Sequence, residues 1–338
     1  MNYMRIIFKK FKARMIVGCI LAVIALLAVS VIVFINQASF GRTPRGERLE
    51  RVMKSPNYRN GEFKNQHETL LMTSDRGRFS GIWEFIFRKI DGLRPEQAVK
   101  AIKTDLRKIG RNEEILVWFG HSSYLIQTGG KRILVDPVFC MASPVSFVNK
   151  PFKGTELYTP DDMPDIDYLV ISHDHWDHLD YNTVKKLKDR IGAVICPLGV
   201  GEHFEYWGFD KERLIELDWN EDANLAPGFM IHCLPARHFS GRGLTANQSL
   251  WASFLLEAPS QKIYIGGDGG YDTHYAEIGN RFPGIDLAIL ENGQYNEEWS
   301  LIHLMPQYMA QTARDLKAKR VLTVHHSKYA LAKHRRSE

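Results

Sequence analysis

One short stretch limits what this chain can fold into more than any other, an apolar run that ends in a cluster of histidines and acids. The run covers residues 168–171 and has the length and β-branched content of a buried parallel strand. Directly behind it lie four side chains of metal-ligand type, His173, His175, Asp177 and His178. The carboxyl ends of parallel strands are where α/β sheets hold their sites. The stretch therefore predicts an α/β fold with a polar site at a strand end.

The spacing H-x-H-x-D-H indicates half of a two-metal site. In an extended segment residues two apart share a side, so His173 and His175 can reach one cation. Asp177 and His178 follow where the chain turns and can reach a second cation. The alternative is that these are ordinary solvated loop residues, which requires four ligand-type side chains to fall at this spacing by chance. We therefore expect further ligands elsewhere in the chain.

Composition argues against a nucleic-acid partner. The net charge of the 338 residues is +5, but five of the 44 Lys and Arg fall within residues 1–14, where no acid occurs. The remaining 39 basic residues are matched by 39 Asp and Glu. A nucleic-acid enzyme would need a basic face, for which these totals leave no excess. The four cysteines form no C-x-x-C pair and predict neither a zinc ribbon nor a disulfide framework.

The N-terminal region predicts a single-pass membrane protein. Residues 15–35 contain no charge, and at about 1.5 Å per residue a helix of this length spans a hydrocarbon core of about 30 Å. A cleaved signal peptide is the alternative, although its apolar region is usually about 7–15 residues long. The basic residues 1–14 favour a cytoplasmic N-terminus. The rest of the chain is then expected on the outer side of the cell membrane, which in a bacterium is the periplasm.

Residues 36–111 are polar and interrupted by proline and glycine, which predicts a juxtamembrane linker with short helices. Within them, residues 82–90 place aromatic and aliphatic side chains around most of a helical surface. This segment either packs on the folded domain or lies in the membrane interface, where it would line a path for lipid. From residue 112 to residue 338 strands recur as hairpins and then alternate with helices. That order predicts one domain of two packed sheets with helices outside.

Three more ligands are expected where other strands end. His238 follows a strand, whereas its rival His232 lies within that strand and is committed to the sheet. Asp268 lies between pairs of glycines after an apolar strand, and its carboxylate could bridge two cations. The alternative for that loop is a phosphate cradle, but no Lys-Ser/Thr follows. His325 follows the strand at 321–324, with the adjacent His326 as its rival.

These motifs resemble the metallo-β-lactamase superfamily, and most closely its N-acyl-phosphatidylethanolamine phospholipase D group and the related lactonase-like members. The resemblance runs from residue 115 to the end of the chain, about two thirds of its length. It rests on the pieces 118–123, 134–137, 173–178, 235–239, 267–271, 292–295, 303–306 and 324–331. It implies an αββα sandwich and hydrolysis by a hydroxide shared between two metal ions. Zinc is expected first because the ligands are nitrogen and oxygen, with manganese or iron as alternatives.

The expected ligands divide between two cations. They are His173, His175 and His238 for one cation, Asp177, His178 and His325 for the other, and Asp268 for both. Asp177, together with Asp136 behind the ligands, is expected to orient water or accept protons.

His303 is the candidate for binding a phosphate or protonating the leaving group, and the alternative is an ordinary surface histidine. For His121 we expect a supporting or packing role. The leading expectation is a membrane-anchored hydrolase of phospholipid phosphodiesters. A lactonase acting on a sugar-phosphate-like lactone and a membrane-tethered metal-binding protein with little turnover are the alternatives.

Overall fold

Two six-stranded sheets form the centre of the computed structural model, which describes residues 2–73, 91–145, 147–293 and 296–332. The first sheet has the order β3-β4-β5-β6-β7-β8, antiparallel from β3 to β5 and parallel from β5 to β8. Its strands are Ile115–Trp118, Tyr124–Thr128, Lys131–Val135, Ile166–Val170, Ile191–Pro197 and Leu214–Leu217. The hairpins expected at the start of the domain are therefore followed by β-α units.

The second sheet has the order β14-β13-β12-β11-β10-β9, antiparallel from β9 to β12 and parallel from β12 to β14. Its strands are Asp222–Ala226, Phe229–Leu234, Ser253–Glu257, Lys262–Ile265, Leu287–Glu291 and Val321–Val324. Sequence analysis missed β9, whose residues Asp222 and Asn224 are exposed and give the strand little apolar character. Both sheets end in parallel strands, so the loops that follow these strands can meet at the edge formed by their carboxyl ends.

The sheets pack face to face, and helices cover their outer faces. β6 is buried on both faces: Val170 lies in the core between the sheets, while its neighbour Leu169 lies in the outer core beneath the helices. A strand buried on both faces needs a continuous apolar run. The helices are α3 (Tyr181–Leu187) and α4 (Gly201–Tyr206) on the first sheet, and α5 (His274–Arg281) and α6 (Pro306–Asp315) on the second. This is the expected αββα sandwich.

The chain divides into two compact units, Met1–Phe40 and Gly41–Glu338. The first is the helix α1, Asn2–Ile35, followed by a short 3-10 turn at Ala38–Phe40. Within α1, Lys10–Ile35 is long and apolar enough to cross a membrane. An anchor and a signal sequence share that property.

The second unit begins well before residue 112, where sequence analysis placed the start of the domain. It contains helix α2 (Gly46–Lys54) and the hairpin β1-β2 (Tyr58–Arg59 and Glu62–Phe63). Val52 and Phe63 are almost fully buried in the core between the sheets. These short elements bury one or two apolar anchors each, too few to give a readable period, so a polar linker was the natural interpretation. The aromatic segment at residues 82–90 lies outside the described residues.

Candidate metal centre

Histidines and acids from separate strands meet at one edge of the sandwich. The sequence 173–180 follows β6, His238 follows β10, Asp268 follows β12 and His325 follows β14. These four strands are parts of two sheets whose loops meet here, so residues as far apart as 173 and 325 become neighbours. All seven residues expected as ligands lie in this group: His173, His175, Asp177, His178, His238, Asp268 and His325.

Three histidines form the first cluster. The Nε2 atom of His173 lies 2.9 Å from Nδ1 of His175, and Nε2 of His238 lies 3.2 Å from the same atom. The outer nitrogen of His238, Nδ1, lies 2.7 Å from the carbonyl oxygen of Ile302, to which it can donate, leaving Nε2 as the acceptor. Burial lowers the pKa of His173 and of His238, which keeps both rings neutral, as metal ligands must be.

Asp268 lies between this cluster and a second one. Its Oδ2 atom is 3.1 Å from Nε2 of His325, 3.2 Å from Nε2 of His178 and 3.8 Å from Nε2 of His238. The Oδ2 atom of Asp177 is 3.6 Å from His325 Nε2 and 3.9 Å from His178 Nε2. One carboxylate therefore reaches both groups of nitrogens.

The geometry fits divalent cations better than it fits ordinary hydrogen bonds. Within the described residues, four buried atoms of the candidate ligands have no hydrogen-bond partner: His178 Nε2, Asp268 Oδ1, and both Nδ1 and Nε2 of His325. Buried polar atoms are otherwise nearly always hydrogen bonded. Close nitrogens and oxygens that point at a common space without pairing are what a metal site looks like, and the donor set holds no thiolate.

Asp136 and His121 lie beside the candidate ligands. The carboxylate of Asp136 accepts from the backbone N–H of Ser172 at 2.8 Å and lies 2.8 Å from Nδ1 of His178, so the other nitrogen of His178 faces the centre. Burial opposes a charge on His178, but the carboxylates of Asp268 and Asp136 outweigh it and raise its pKa. His121 places Nε2 at 3.0 Å from Asp177, and burial lowers the pKa of His121 to about 3.

His303 is buried instead of lying on the surface, and it has a partner that sequence analysis missed. Its Nδ1 lies 2.8 Å from Glu291, whose carboxylate also accepts from the backbone N–H groups of Gly269 and Leu304. Burial opposes a charge on His303, but Glu291 outweighs it and raises the pKa of His303. Glu291 ends the apolar strand β13, so the rule that sites follow strand ends could have found it.

The rival residues lie away from the centre. His232 remains on β10 with Nε2 at 3.5 Å from Glu257. The ring centroid of His326 lies 4.7 Å from that of Trp118. Gly267 has a φ of +61°, and a Cβ there would lie 2.7 Å from Cβ of Ser172. Glycine is therefore required for the close approach of the Asp268 loop to the loop after β6.

The comparisons with known proteins agree with this geometry. The family described as "Beta-lactamase superfamily domain" matches residues 131–326. An uncharacterised protein of Mycobacterium tuberculosis (strain ATCC 25618 / H37Rv) is 36% identical over 290 residues, 83% of this chain and 77% of that protein. The N-acyl-phosphatidylethanolamine-hydrolyzing phospholipase D 1 of Caenorhabditis elegans is 29% identical over 231 residues, 63% of this chain and 64% of that protein.

Among solved structures, CmlA, a diiron beta-hydroxylase from Streptomyces venezuelae, has a similar fold. Its TM-score is 0.50 at 19% identity, over 63% of this chain and 45% of that chain. The family match covers more than half of this chain and includes the strand ends that hold the clustered histidines and aspartates. The chain belongs to the beta-lactamase superfamily, as a metal-dependent hydrolase with the metallo-β-lactamase fold.

Proposed function

We propose that the protein hydrolyses the phosphodiester of N-acyl-phosphatidylethanolamine-like phospholipids, in the manner of a phospholipase D. One observation carries the proposal: the Oδ2 atom of Asp268 lies within 3.8 Å of nitrogens from both clusters. In-line displacement at phosphorus is favoured by one cation at the attacking oxygen and one at the leaving oxygen, and a shared carboxylate holds two cations close together. The similarity to the C. elegans phospholipase supports the choice of substrate.

The ligand assignment follows from the two clusters. One cation would be held by His173, His175 and His238, the other by Asp177, His178 and His325, and both by Asp268. Nitrogen and oxygen donors without thiolate favour zinc, with manganese or iron as alternatives. When bound, the two cations lower the pKa of water and neutralise charge on the phosphate oxygens.

Protons would be handled by two side chains. Asp177, held through Oδ2 by His121, would orient the attacking water and accept its proton. The water oxygen bonds to phosphorus while the bond from phosphorus to the ethanolamine oxygen breaks. His303, whose Nδ1 faces Glu291, has Nε2 left to donate a proton to that leaving oxygen. The products are phosphatidic acid and an N-acylethanolamine.

The test uses the full-length protein in vesicles that contain an N-acylated phosphatidylethanolamine, with both products followed by mass spectrometry. We expect turnover that is lost on chelation. The variant His303→Gln is expected to lower kcat about 10²- to 10⁴-fold without loss of metal, because it cannot donate the proton.

Other outcomes would separate the alternatives. Opening of a sugar-phosphate lactone without release of phosphatidic acid would reject the phospholipase proposal in favour of a lactonase. Two tightly bound metal ions with turnover of neither substrate would instead favour a membrane-tethered binding protein.

We also propose that α1 is a single-pass anchor with residues 1–14 in the cytoplasm and the metal centre outside it. The support is the charge-free stretch at 15–35 behind five basic residues. A reporter that is active only outside the cytoplasm, fused after Glu338, should be active, and the protein should stay in membranes after alkaline extraction. An inactive reporter would overturn this orientation, and release into the soluble fraction would overturn the anchor.

A further inference from the structure

Asp174 lies between the candidate ligands His173 and His175 and is almost fully buried. Its carboxylate accepts from the Oγ–H of Ser249 at 2.8 Å and from the backbone N–H of Gly241 at 2.7 Å. Its third neighbour is Nε2 of His203, at 3.1 Å. One carboxylate thus joins the ligand loop to two other parts of the fold, the loop between β10 and β11 and the helix α4.

His203 belongs to α4 and is buried as well. Its Nδ1 accepts from the backbone N–H of Arg42 at 3.0 Å, so this nitrogen carries no proton. The proton of the neutral ring is then on Nε2, and the contact with Asp174 is a donated hydrogen bond. Burial opposes the charge on Asp174, but the bond from His203 outweighs it and keeps the pKa of Asp174 below its ordinary value.

The chain comes unusually close to His203 at the start of the second unit. Gly41 has a φ of +70°, and a Cβ on it would lie 2.0 Å from Nδ1 of His203. Arg42 then pairs with the buried carboxylate of Glu202 through Nε at 2.6 Å. The backbone at residues 41–42 is therefore held against α4 and presents its N–H to the histidine.

We infer that His203 is a positioning residue of the metal centre. In the tautomer that the backbone N–H of Arg42 imposes on it, His203 holds Asp174 through Nε2–H and thereby sets the spacing of His173 and His175. The three-histidine cluster depends on this contact because its two members on either side of Asp174 share one short loop. The inference rests on the proposed ligand assignment but not on the substrate. Residues that orient metal ligands in this way typically change metal affinity about 10- to 100-fold when substituted.

Two pairs of full-length variants test it. His203→Gln keeps an amide N–H near the place of Nε2, whereas His203→Asn keeps only an acceptor near Nδ1. Gly41→Ala drives a methyl group into His203, while Gly46→Ala has an equally left-handed φ of +51° with nothing within 4 Å. The second pair therefore separates contact with His203 from backbone strain. The measurements are zinc content, zinc affinity by chelator competition, and the melting temperature of the metal-free protein.

We expect the wild type, His203→Gln and Gly46→Ala to hold two zinc ions with similar affinity. His203→Asn and Gly41→Ala should release one of the two ions at about 10- to 100-fold lower chelator concentration. Equal affinity in all variants, with two ions bound, would overturn the inference alone. Equal loss of zinc affinity in both members of either pair would also overturn it. A merely structural role would not be rescued by His203→Gln or spared by Gly46→Ala. A wild type that holds fewer than two ions would overturn the two-cation centre as well.

Discussion

Asp268 is buried among histidine rings from three different loops. Its Oδ2 atom has nitrogen neighbours from the loops after β6, β10 and β14, while its Oδ1 atom is buried with no hydrogen-bond partner among the described residues. A carboxylate buried beside three histidine rings needs positive charge nearby, from protonated rings or from bound cations. One cation on each side of Asp268 would supply this positive charge.

Asp268→Asn is expected to abolish activity and to reduce bound metal from two ions to one or none, because an amide oxygen is a weak substitute for a bridging carboxylate. Metal analysis of the purified protein and an activity assay measure both effects. Asp210→Asn is the control, since the side chain of Asp210 is 67% exposed and lies at a turn before β8. A variant of Asp268 that kept both ions and full activity would remove this residue from the centre.

Lys328 is a second buried charge, outside the metal centre. It is 4% exposed and donates to the carbonyl oxygen of Val138 at 2.9 Å. Burial lowers its pKa from 10.5 to about 8. Between these two values the folded state binds fewer protons than the unfolded state, so this lysine makes the free energy of unfolding rise as pH rises from about 8 to about 10.5. Below pH 8 the cost of burying the charge is present in full.

The free energy of unfolding of Lys328→Met, relative to that of the wild type, is therefore expected to be highest at pH 7.5 and lowest at pH 10.5. The change should be on the order of 3 kcal/mol, since one pKa unit is worth about 1.4 kcal/mol. Urea unfolding in the presence of a chelator, at pH 7.5, 9 and 10.5, measures the difference. Lys108→Met, at a side chain that is 85% exposed, should show no such trend. A pH-independent difference for Lys328→Met would show that the lysine stays charged when buried.

At the scale of elements, the helix α2 and the hairpin β1-β2 belong to the folded unit. Phe63 is fully buried between the sheets, and Arg48 of α2 pairs with Glu202 and Glu216 at 2.7 and 2.6 Å. An element that supplies core side chains and buried ion pairs cannot be removed as a tether could.

Phe63→Ala is expected to lower the free energy of unfolding by about 3–5 kcal/mol, because it leaves a large cavity in the main core. Met53→Ala, on the exposed side of α2 next to the buried Val52, should change it little, since Met53 is 65% exposed. Denaturant unfolding of both full-length variants provides the comparison. If Phe63→Ala unfolded like the wild type, α2 and the hairpin β1-β2 would belong to the linker that the sequence suggested at residues 36–111.

Strands with clear apolar runs were readable from the sequence because their patterns are local. β14 has the bounds 321–324 that its apolar run predicted, and β10 and β12 lie before His238 and Asp268, where strands were expected. β9 and the hairpin β1-β2 were not readable, because each has too few buried apolar residues to show a period. Glu291 was within reach of the same reasoning, as an acid at the end of an apolar strand.

At the scale of the whole molecule, the metal centre joins the two sheets. Its proposed ligands follow strands of both sheets, so bound cations would stabilise the sandwich as a unit by mass action. Removal of metal by chelation should lower the melting temperature by several degrees, since ligand at 1,000 times its Kd contributes about 4 kcal/mol. Zinc added back should restore it. Asp268→Asn should respond much less to chelator, and an equal response would place the metal elsewhere.

The sequence by itself determined the chemistry. The spacing of His173, His175, Asp177 and His178 behind one strand, and single candidate ligands behind three others, follow from rules that act over a few residues. The tertiary structure decided which atoms meet: Glu291 on His303, and Asp174 on His203 and on through it to the backbone of Arg42. Those contacts join segments up to 161 residues apart. They depend on how loops and helices pack in the folded chain, which leaves no local pattern in the sequence.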